Sequence, residues 1–385
     1  MGISFCLSPA WIGKTALEGQ GGASPQDQMR ESGPTVPGLV AEEMSQTLQQ
    51  PDGKSELYFS FGVIADIQYA DTDDRLNAWG TSMRYYRHSL CLLQSAIEEW
   101  NKEIPCPSFV LQLGDIIDSS NSVHKASKIV LKCVLKQIEK MNVPFHHVWG
   151  NHELCNFGRN FLTNSALNTK HLEDKTVEVS ASATVSCHED VNPQHFYAYH
   201  FSPFTNFRFV MIDTYDLNVV EKDVSSTRYE ETKEFLRMRA NRSPYRWQDD
   251  EAHLLMFNGG FGKDQLDWLD RLLTFSDENK EKVVVFGHVP IHPESKKRAC
   301  LAWNYRDALA ILQAHKCVVC YLAGHDHDGG YCLDSHGIHH VTLEGLVESP
   351  PGSHAFGTVH VYKDRMVLHG RGRTTSRVLY FRRDQ

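Results

Sequence analysis

The chain has no uninterrupted apolar run of the roughly 20 residues needed to span a bilayer. It has no basic excess: 39 Lys and Arg against 48 Asp and Glu leave a formal charge of −9. General affinity for nucleic acid or an anionic membrane is therefore not expected, although a local basic pocket for phosphate is compatible with that charge. Internal repeats are lacking. The ten cysteines are scattered and lack the spacing of a small secreted framework. Cys91, Cys133, Cys317 and Cys320 lie in apolar runs, where a reduced thiol behaves as a small hydrophobe. Cys317-Val-Val-Cys320 has the spacing of zinc ligands, but no second pair follows, and it reads as a buried strand. The opening Met1-Gly-Ile-Ser-Phe-Cys6 has Cys6 where a myristoylation signal wants Ser or Thr. The basic flank and apolar core of a secretory signal are also missing. A soluble, monomeric, cytosolic protein without nucleic-acid or membrane partners is expected.

What is present is an ordinary globular balance, with 41% hydrophobic and 23% charged residues in 385, and an unusual 21 histidines. Residues 1–54 are rich in Gly, Ser, Gln, Pro and Glu without periodicity, and read as a disordered extension. Residues 55–385 read as one catalytic domain. Strands are expected at 58–65, 109–113 and 145–149, with helices near 82–101 and 123–141 between them. This is a β-α-β-α-β series with right-handed crossovers. Residues 154–206 read as an insertion of loops and short elements, and 218–256 as polar with helical stretches. Further strands are expected at 207–213, 282–286 and 317–323, and helices at 264–275 and 306–315. Alternating runs near 337–344, 356–362 and 365–370 suggest an antiparallel finish. The fold class is α/β.

The organising feature is a device used five times. An apolar, β-branched or aromatic run breaks, and a polar ligand type follows at once. The endings are Asp66-Ile-Gln68, Gly114-Asp115, Gly150-Asn151-His152-Glu153, Gly287-His288 and Gly324-His325-Asp326-His327. Parallel strands end in this way when their last residues reach into a crevice at the carboxyl edge of a sheet. Buried carboxylates are costly unless they are paired or bound to metal. Carboxylate, amide and imidazole groups together suit two divalent cations about 3.5–4 Å apart. Asp115, in the central motif, is assigned the bridging position. Asp66, Gln68 and His327 are assigned to one ion, and Asn151, His288 and His325 to the other. A water or hydroxide between the ions would be acidic enough to attack phosphorus near neutral pH. His152 follows a ligand and is assigned the donation of a proton to the leaving oxygen. Asp118 and Glu153 are expected to orient these groups. Lone histidines such as His88, His124, His195 and His315 are left out as surface or satisfied core residues. Two aromatic and basic clusters could wall a nucleotide pocket: Arg84, Tyr85, Tyr86 and Arg87, and Cys300, Trp303, Tyr305 and Arg306.

In these motifs the sequence resembles the calcineurin-like metallophosphoesterases, over about residues 58–370. That family's pattern runs Asp-x-His, Gly-Asp-x-x-Asp, Gly-Asn-His-Glu, Gly-His and Gly-His-x-His. The chain matches all of it except that Gln68 stands in the first histidine's place. The resemblance implies a four-layer α/β/β/α sandwich with a dimetal site at the carboxyl-terminal edge of the strands, and His152 as the catalytic histidine. Ser119 and Ser120 follow Asp118 where phosphoprotein phosphatases carry Asp-Arg-Gly. Asp118 itself stands where purple acid phosphatases place a metal-binding tyrosine. With Gln68, Phe-Asn-Gly-Gly-Phe (257–261) and Leu-Ala-Trp-Asn-Tyr-Arg-Asp (301–307), the resemblance narrows to a manganese-dependent branch. It implies hydrolysis of the pyrophosphate in ADP-ribose, to AMP and ribose 5-phosphate, and in CDP-alcohols such as CDP-choline and CDP-glycerol. Cyclic ADP-ribose is a further candidate substrate. An amide oxygen in place of an imidazole favours Mn2+, with Mg2+, Zn2+ or Fe also admitted. The alternative is a phosphomonoesterase or cyclic-nucleotide phosphodiesterase using the same metals, which would differ in product. A non-catalytic scaffold on the same fold is disfavoured by the complete ligand set.

Overall fold

The computed structural model describes residues 56–170, 172, 196–221, 227–240 and 252–382. The expected N-terminal extension lies outside them, as do parts of the 154–206 and 218–256 segments. Two six-stranded sheets carry the architecture. In the first, β1 (Leu57–Ile64), β2 (Val110–Gln112) and β3 (Phe145–His147) run parallel. In the second, β4 (Tyr199–Phe204) pairs antiparallel with β5 (Phe207–Met211), which runs parallel to β6 (Lys282–Phe286) and β7 (Val318–Ala323). These parallel strands are buried on both faces, which is why they read as near-continuous apolar runs.

The two sheets meet through aromatic side chains. Phe61 and Phe109 of the first lie edge-on to Phe209 of the second, with centroids 5.1 and 5.2 Å away. Helices cover the outer faces. On the first sheet, α1 (His88–Lys102) buries Leu92, Leu93, Ala96, Ile97 and Trp100, beside α2 (Ser127–Ile138). On the second, α4 (Lys263–Glu278) packs beside α5 (Tyr305–Ala314); the short α3 (Asn151–Asn156) begins within a ligand motif. The result is the expected four-layer sandwich. Trp100 is fully buried against Phe356 (5.1 Å between centroids) and Phe145 (6.3 Å). Trp100→Ala is expected to lower stability by about 3–5 kcal/mol, read as a fall in the urea midpoint at unchanged slope.

Three local expectations differ from the structure. Residues 82–87 are not helical: Met83–Arg84 pairs with Arg75–Leu76, and the Tyr85 N–H donates to the Val347 carbonyl. Long-range bonds there override the local pattern. The strand β8 (Gly330–Leu333) has too short an apolar run to announce itself. The chain turns tightly at Gly337 and returns as β9 (His339–Thr342), which inserts between β8 and β7. β9 is thus parallel to β7, and only its pairing with β8 is antiparallel. The antiparallel finish holds for β10 (Ala355–Tyr362), β11 (Arg365–Gly372) and β12 (Arg377–Tyr380). Cys317 and Cys320 are buried and free, as their strand-like context predicts, whereas Cys91 on α1 and Cys133 on α2 face outward from their helices and are exposed. No helix among the described residues is long and apolar enough to cross a membrane.

Candidate metal centre

Strands β1, β2, β6 and β7 all end at one edge, and the residues just beyond them converge. Asp66, Gln68, Asp115, Asn151, His152, His288, His325 and His327 are all buried. Bonds across the two sheets hold the edge together. The His325 N–H donates to Asp66 Oδ2 (2.8 Å), and His288 Nδ1 lies 2.7 Å from the Leu113 carbonyl.

The turns themselves are strained. Asp66, Gln68, Asp115 and His325 adopt φ of 51°, 43°, 57° and 69°, a left-handed region that costs a non-glycine residue energy. They are four of the seven such residues in the described chain, and all four belong to the candidate set. Glycine permits the approach of neighbouring segments. A Cβ on Gly114 would lie 2.3 Å from His288 Nδ1, and one on Gly150 would lie 2.1 Å from Asp115 Oδ1. Glu153 anchors the central turn by accepting backbone N–H groups from Asp115 (2.7 Å), Ile116 (2.7 Å) and Gly150 (2.8 Å). Burial and the neighbouring Asp115 push its pKa up to about 7.

Outer hydrogen bonds assign each imidazole a tautomer. His288 gives its Nδ1 proton to the Leu113 carbonyl, so Nε2 points a lone pair at Asp115 Oδ2, 3.3 Å away. That nitrogen is buried without a hydrogen-bond partner. The Asn258 amide group donates to the carbonyls of His253 and Ala299, so its oxygen accepts from His325 Nε2 (2.7 Å) and leaves Nδ1 bare. His327 donates from Nδ1 to Glu348 Oε1 (3.0 Å), so its Nε2 accepts from the Gln68 amide (3.1 Å) and faces Asp66 Oδ1 (3.1 Å). Three imidazoles are thus held from behind with their unprotonated nitrogens turned inward, as metal-binding histidines are. Gln68 follows the same pattern. Its Nε2 donates to Asp115 Oδ2 (3.1 Å), while Oε1 is buried with no partner.

The electrostatics ask for positive charge. Burial opposes ionisation of Asp115, but the rings of His152, His288 and His325 hold its pKa far below the usual carboxylate range. Burial likewise disfavours charge on His288, yet Asp115 and Asp66 push its pKa up to about 9. For His325, burial and the adjacent His288 ring press the pKa well below normal, keeping it neutral. Donor atoms of Asp115, His288 and His325 lie within 4.8 Å of one another, within reach of one cation. A bare nitrogen facing a buried carboxylate is unfavourable unless a cation or a proton lies between them. The donor set therefore fits divalent metal.

A model of the calcineurin-like phosphoesterases matches residues 59–329. The chain belongs to that family. Manganese-dependent ADP-ribose/CDP-alcohol diphosphatase of Bos taurus is 51% identical over 333 residues, 86% of this chain and 96% of the relative. The Homo sapiens protein of the same name is 51% identical over 334 residues, 86% and 95% of the two chains. The crystal structure of a dimetal phosphatase from Danio rerio superposes with a TM-score of 0.76 at 41% identity, covering 85% of this chain and all of that one.

Several residues around this phosphoesterase site went unread in the sequence. Glu348, which holds His327, also faces Arg84 and Arg298 at 3.5 Å. Burial opposes its charge, but His327 and these arginines keep its pKa well below the ordinary range. Tyr215 donates to Asn151 Oδ1 (3.1 Å). Asn258 lies in the Phe-Asn-Gly-Gly-Phe stretch, where its role was detectable only as part of a motif. Some members of the two clusters named as pocket walls are committed elsewhere. Tyr86 is buried beneath Arg75, the Trp303 indole donates to the Leu255 carbonyl, and Arg87 pairs with Asp71 and Asp73 at the surface. Trp79, which is exposed, and Phe257, which is half-buried, also lie by the donor set, with centroids 6.2 Å apart and Phe257 5.7 Å from His325.

Proposed function

We propose that residues 55–385 form one catalytic unit that hydrolyses the pyrophosphate of ADP-ribose and of CDP-alcohols in a manganese-dependent reaction. The observation that carries the reading is the inward-facing donor set around Asp115, in a chain about half identical to relatives bearing that activity in their name. Asp66, Gln68 and His327 are assigned to one ion, Asn151, His288 and His325 to the other, and Asp115 to both. Two divalent ions would supply Lewis acidity at phosphorus and acidify the attacking water.

The chain's own groups do the rest. His152 Nδ1 accepts the Ser119 backbone N–H (2.7 Å), which assigns the ring proton to Nε2. Nε2 is the end nearer Asp115 Oδ2 (3.7 Å), so His152 presents a proton-bearing donor to the oxygen on which charge develops. The Ser119 amide holds the ring in that orientation, and the Asp118 carboxylate, with Oδ2 3.3 Å from Nδ1, favours the ring when it carries positive charge. Trp79 and Phe257 offer an aromatic surface on which a nucleotide base can stack. The free thiols of all eight described cysteines suit a reducing compartment, and action in the cytosol as a monomer fits this reading.

Gln68 bears on the metal. An unpartnered amide oxygen is a harder donor than imidazole. Gln68→His is therefore expected to broaden metal use towards zinc, measured as turnover against a Mn2+, Mg2+ and Zn2+ series. An unchanged metal profile would count against an inner role for Gln68.

The function is tested by product analysis with ADP-ribose, CDP-choline, cyclic AMP and an aryl phosphate in the presence of manganese. AMP and CMP without free phosphate are expected. Turnover of only cyclic AMP or the aryl phosphate would replace the diphosphatase reading with the phosphodiesterase or phosphomonoesterase one.

A further inference from the structure

The loop that follows β6 carries His288 into the phosphoesterase site. Four residues later it packs a second group of metal-ligating side chains against the edge of the second sheet. His292 precedes the short turn Pro293–Ser295, which includes Glu294, and Cys332 lies in β8. One donor atom from each of the three falls within 4.8 Å of the others. Cys332 Sγ is 3.0 Å from His292 Nδ1, which also accepts the Glu294 backbone N–H (3.2 Å). None of these residues belongs to the site assigned to hydrolysis.

A second observation comes from the neighbouring strand. His340 of β9 is the register partner of Cys332, so their side chains stand on the same face of the sheet. The His340 ring is fully buried, and its centroid lies 4.7 Å from that of His292. Asp334 Oδ2 holds its Nε2 at 3.2 Å, while its Nδ1 has no hydrogen-bond partner. A carboxylate that holds one imidazole nitrogen and leaves the other without a partner is an arrangement common to metal-binding histidines.

We propose that His292, Glu294 and Cys332, packed beside the buried His340 ring, bind one zinc-class divalent cation, separate from the dinuclear site. Sulfur, imidazole and carboxylate together suit zinc, whereas manganese and magnesium prefer oxygen. In a tetrahedral zinc site, sulfur and nitrogen ligands stand about 3.5 Å apart, so the observed pair must open by roughly half an ångström. The cation takes the place of the thiol proton, which passes to solvent. Without metal, burial together with Glu294 and Asp334 pushes the Cys332 thiol up to about 12. Burial and the nearby His340 lower the pKa of His292, favouring the neutral ring that a metal requires.

The place of this cluster gives it a consequence. A Cβ on Gly330 would lie 2.2 Å from the Ser295 carbonyl oxygen, so the loop and the β8 backbone are in close contact. The next residues of the loop, Lys297 and Arg298, donate their N–H groups to Asp326 Oδ2 (2.7 Å each). Asp326 stands between His325 and His327. A cation at Cys332 would thus tie the loop bearing His288 to the hairpin that follows His325 and His327.

The test titrates the full chain, stripped of metal, with Co2+ and reads thiolate-to-cobalt charge transfer in the near ultraviolet. The ligands assigned to hydrolysis include no sulfur, so that site gives no such band. The band is expected to saturate at about one cobalt per chain and to be displaced by stoichiometric Zn2+. It is also expected to be lost in Cys332→Ser and His292→Ala. His292 is only partly buried, so its variant keeps the test informative if the Cys332 variant folds poorly. No band in the parent, or a band retained in His292→Ala, overturns the proposal.

Discussion

Replacing His152 by alanine is expected to lower turnover of ADP-ribose by roughly two to four powers of ten while metal binding and fold persist. The dissociation of the two effects follows from how the residue is used. The His152 backbone N–H donates to Asp115 Oδ1 (2.9 Å), and alanine retains that bond. What is lost is the ring, whose Nδ1 is fixed by the Ser119 amide and whose Nε2 carries the proton into the site. Manganese stoichiometry, circular dichroism and steady-state kinetics on the same preparation separate the contributions. Unimpaired turnover would remove His152 from the mechanism. Loss of manganese together with activity would instead make it a structural element of the metal site.

Asp115→Asn is expected to be at least as damaging, but by a different route. Its Oδ2 receives the Gln68 amide and faces His288 Nε2, and its Oδ1 receives the His152 backbone. An amide keeps the shape and removes the charge that both cations would share. A loss of about 4 kcal/mol in transition-state stabilisation corresponds to roughly three powers of ten in kcat/KM. Thermal stability provides an independent readout. Ligand at a hundred times its Kd stabilises a folded chain by about 2.7 kcal/mol. The parent should therefore melt lower when manganese is chelated, whereas Asp115→Asn should melt at nearly the same temperature with or without chelator. Equal responses in the two proteins would contradict the assignment of Asp115.

Much of this centre was legible in the sequence because parallel strands impose a direction. A strand buried on both faces reads as an apolar run, and its carboxyl end lies at a predictable edge. Asp66, Asp115, His288 and His325 could therefore be placed together before any coordinates. The supporting groups could not. Glu348 ends the short 3-10 turn Leu346–Glu348, Asn258 sits in the loop Phe-Asn-Gly-Gly-Phe, and each reaches its histidine through local geometry that has no long period. The same limit explains residues 82–87, where the hydrogen bond from Tyr85 to Val347 cancels a helical pattern. It also explains β9, whose parallel pairing is set by the turn at Gly337 and not by its alternating residues. The packing of two rings in the aromatic clusters was unreadable for a related reason. Ring-rich stretches near strand ends look like pocket walls, but Tyr86 and Trp303 are buried in the packing.

The central claim is that two cations lie on either side of the Asp115 carboxylate. It is tested most directly by crystals of the manganese-loaded chain, with anomalous differences recorded at the manganese edge. The account predicts two peaks, one within bonding reach of Asp66, Gln68 and His327 and the other of Asn151, His288 and His325, with Asp115 contacting both. A single peak, or peaks away from Asp115, would contradict it.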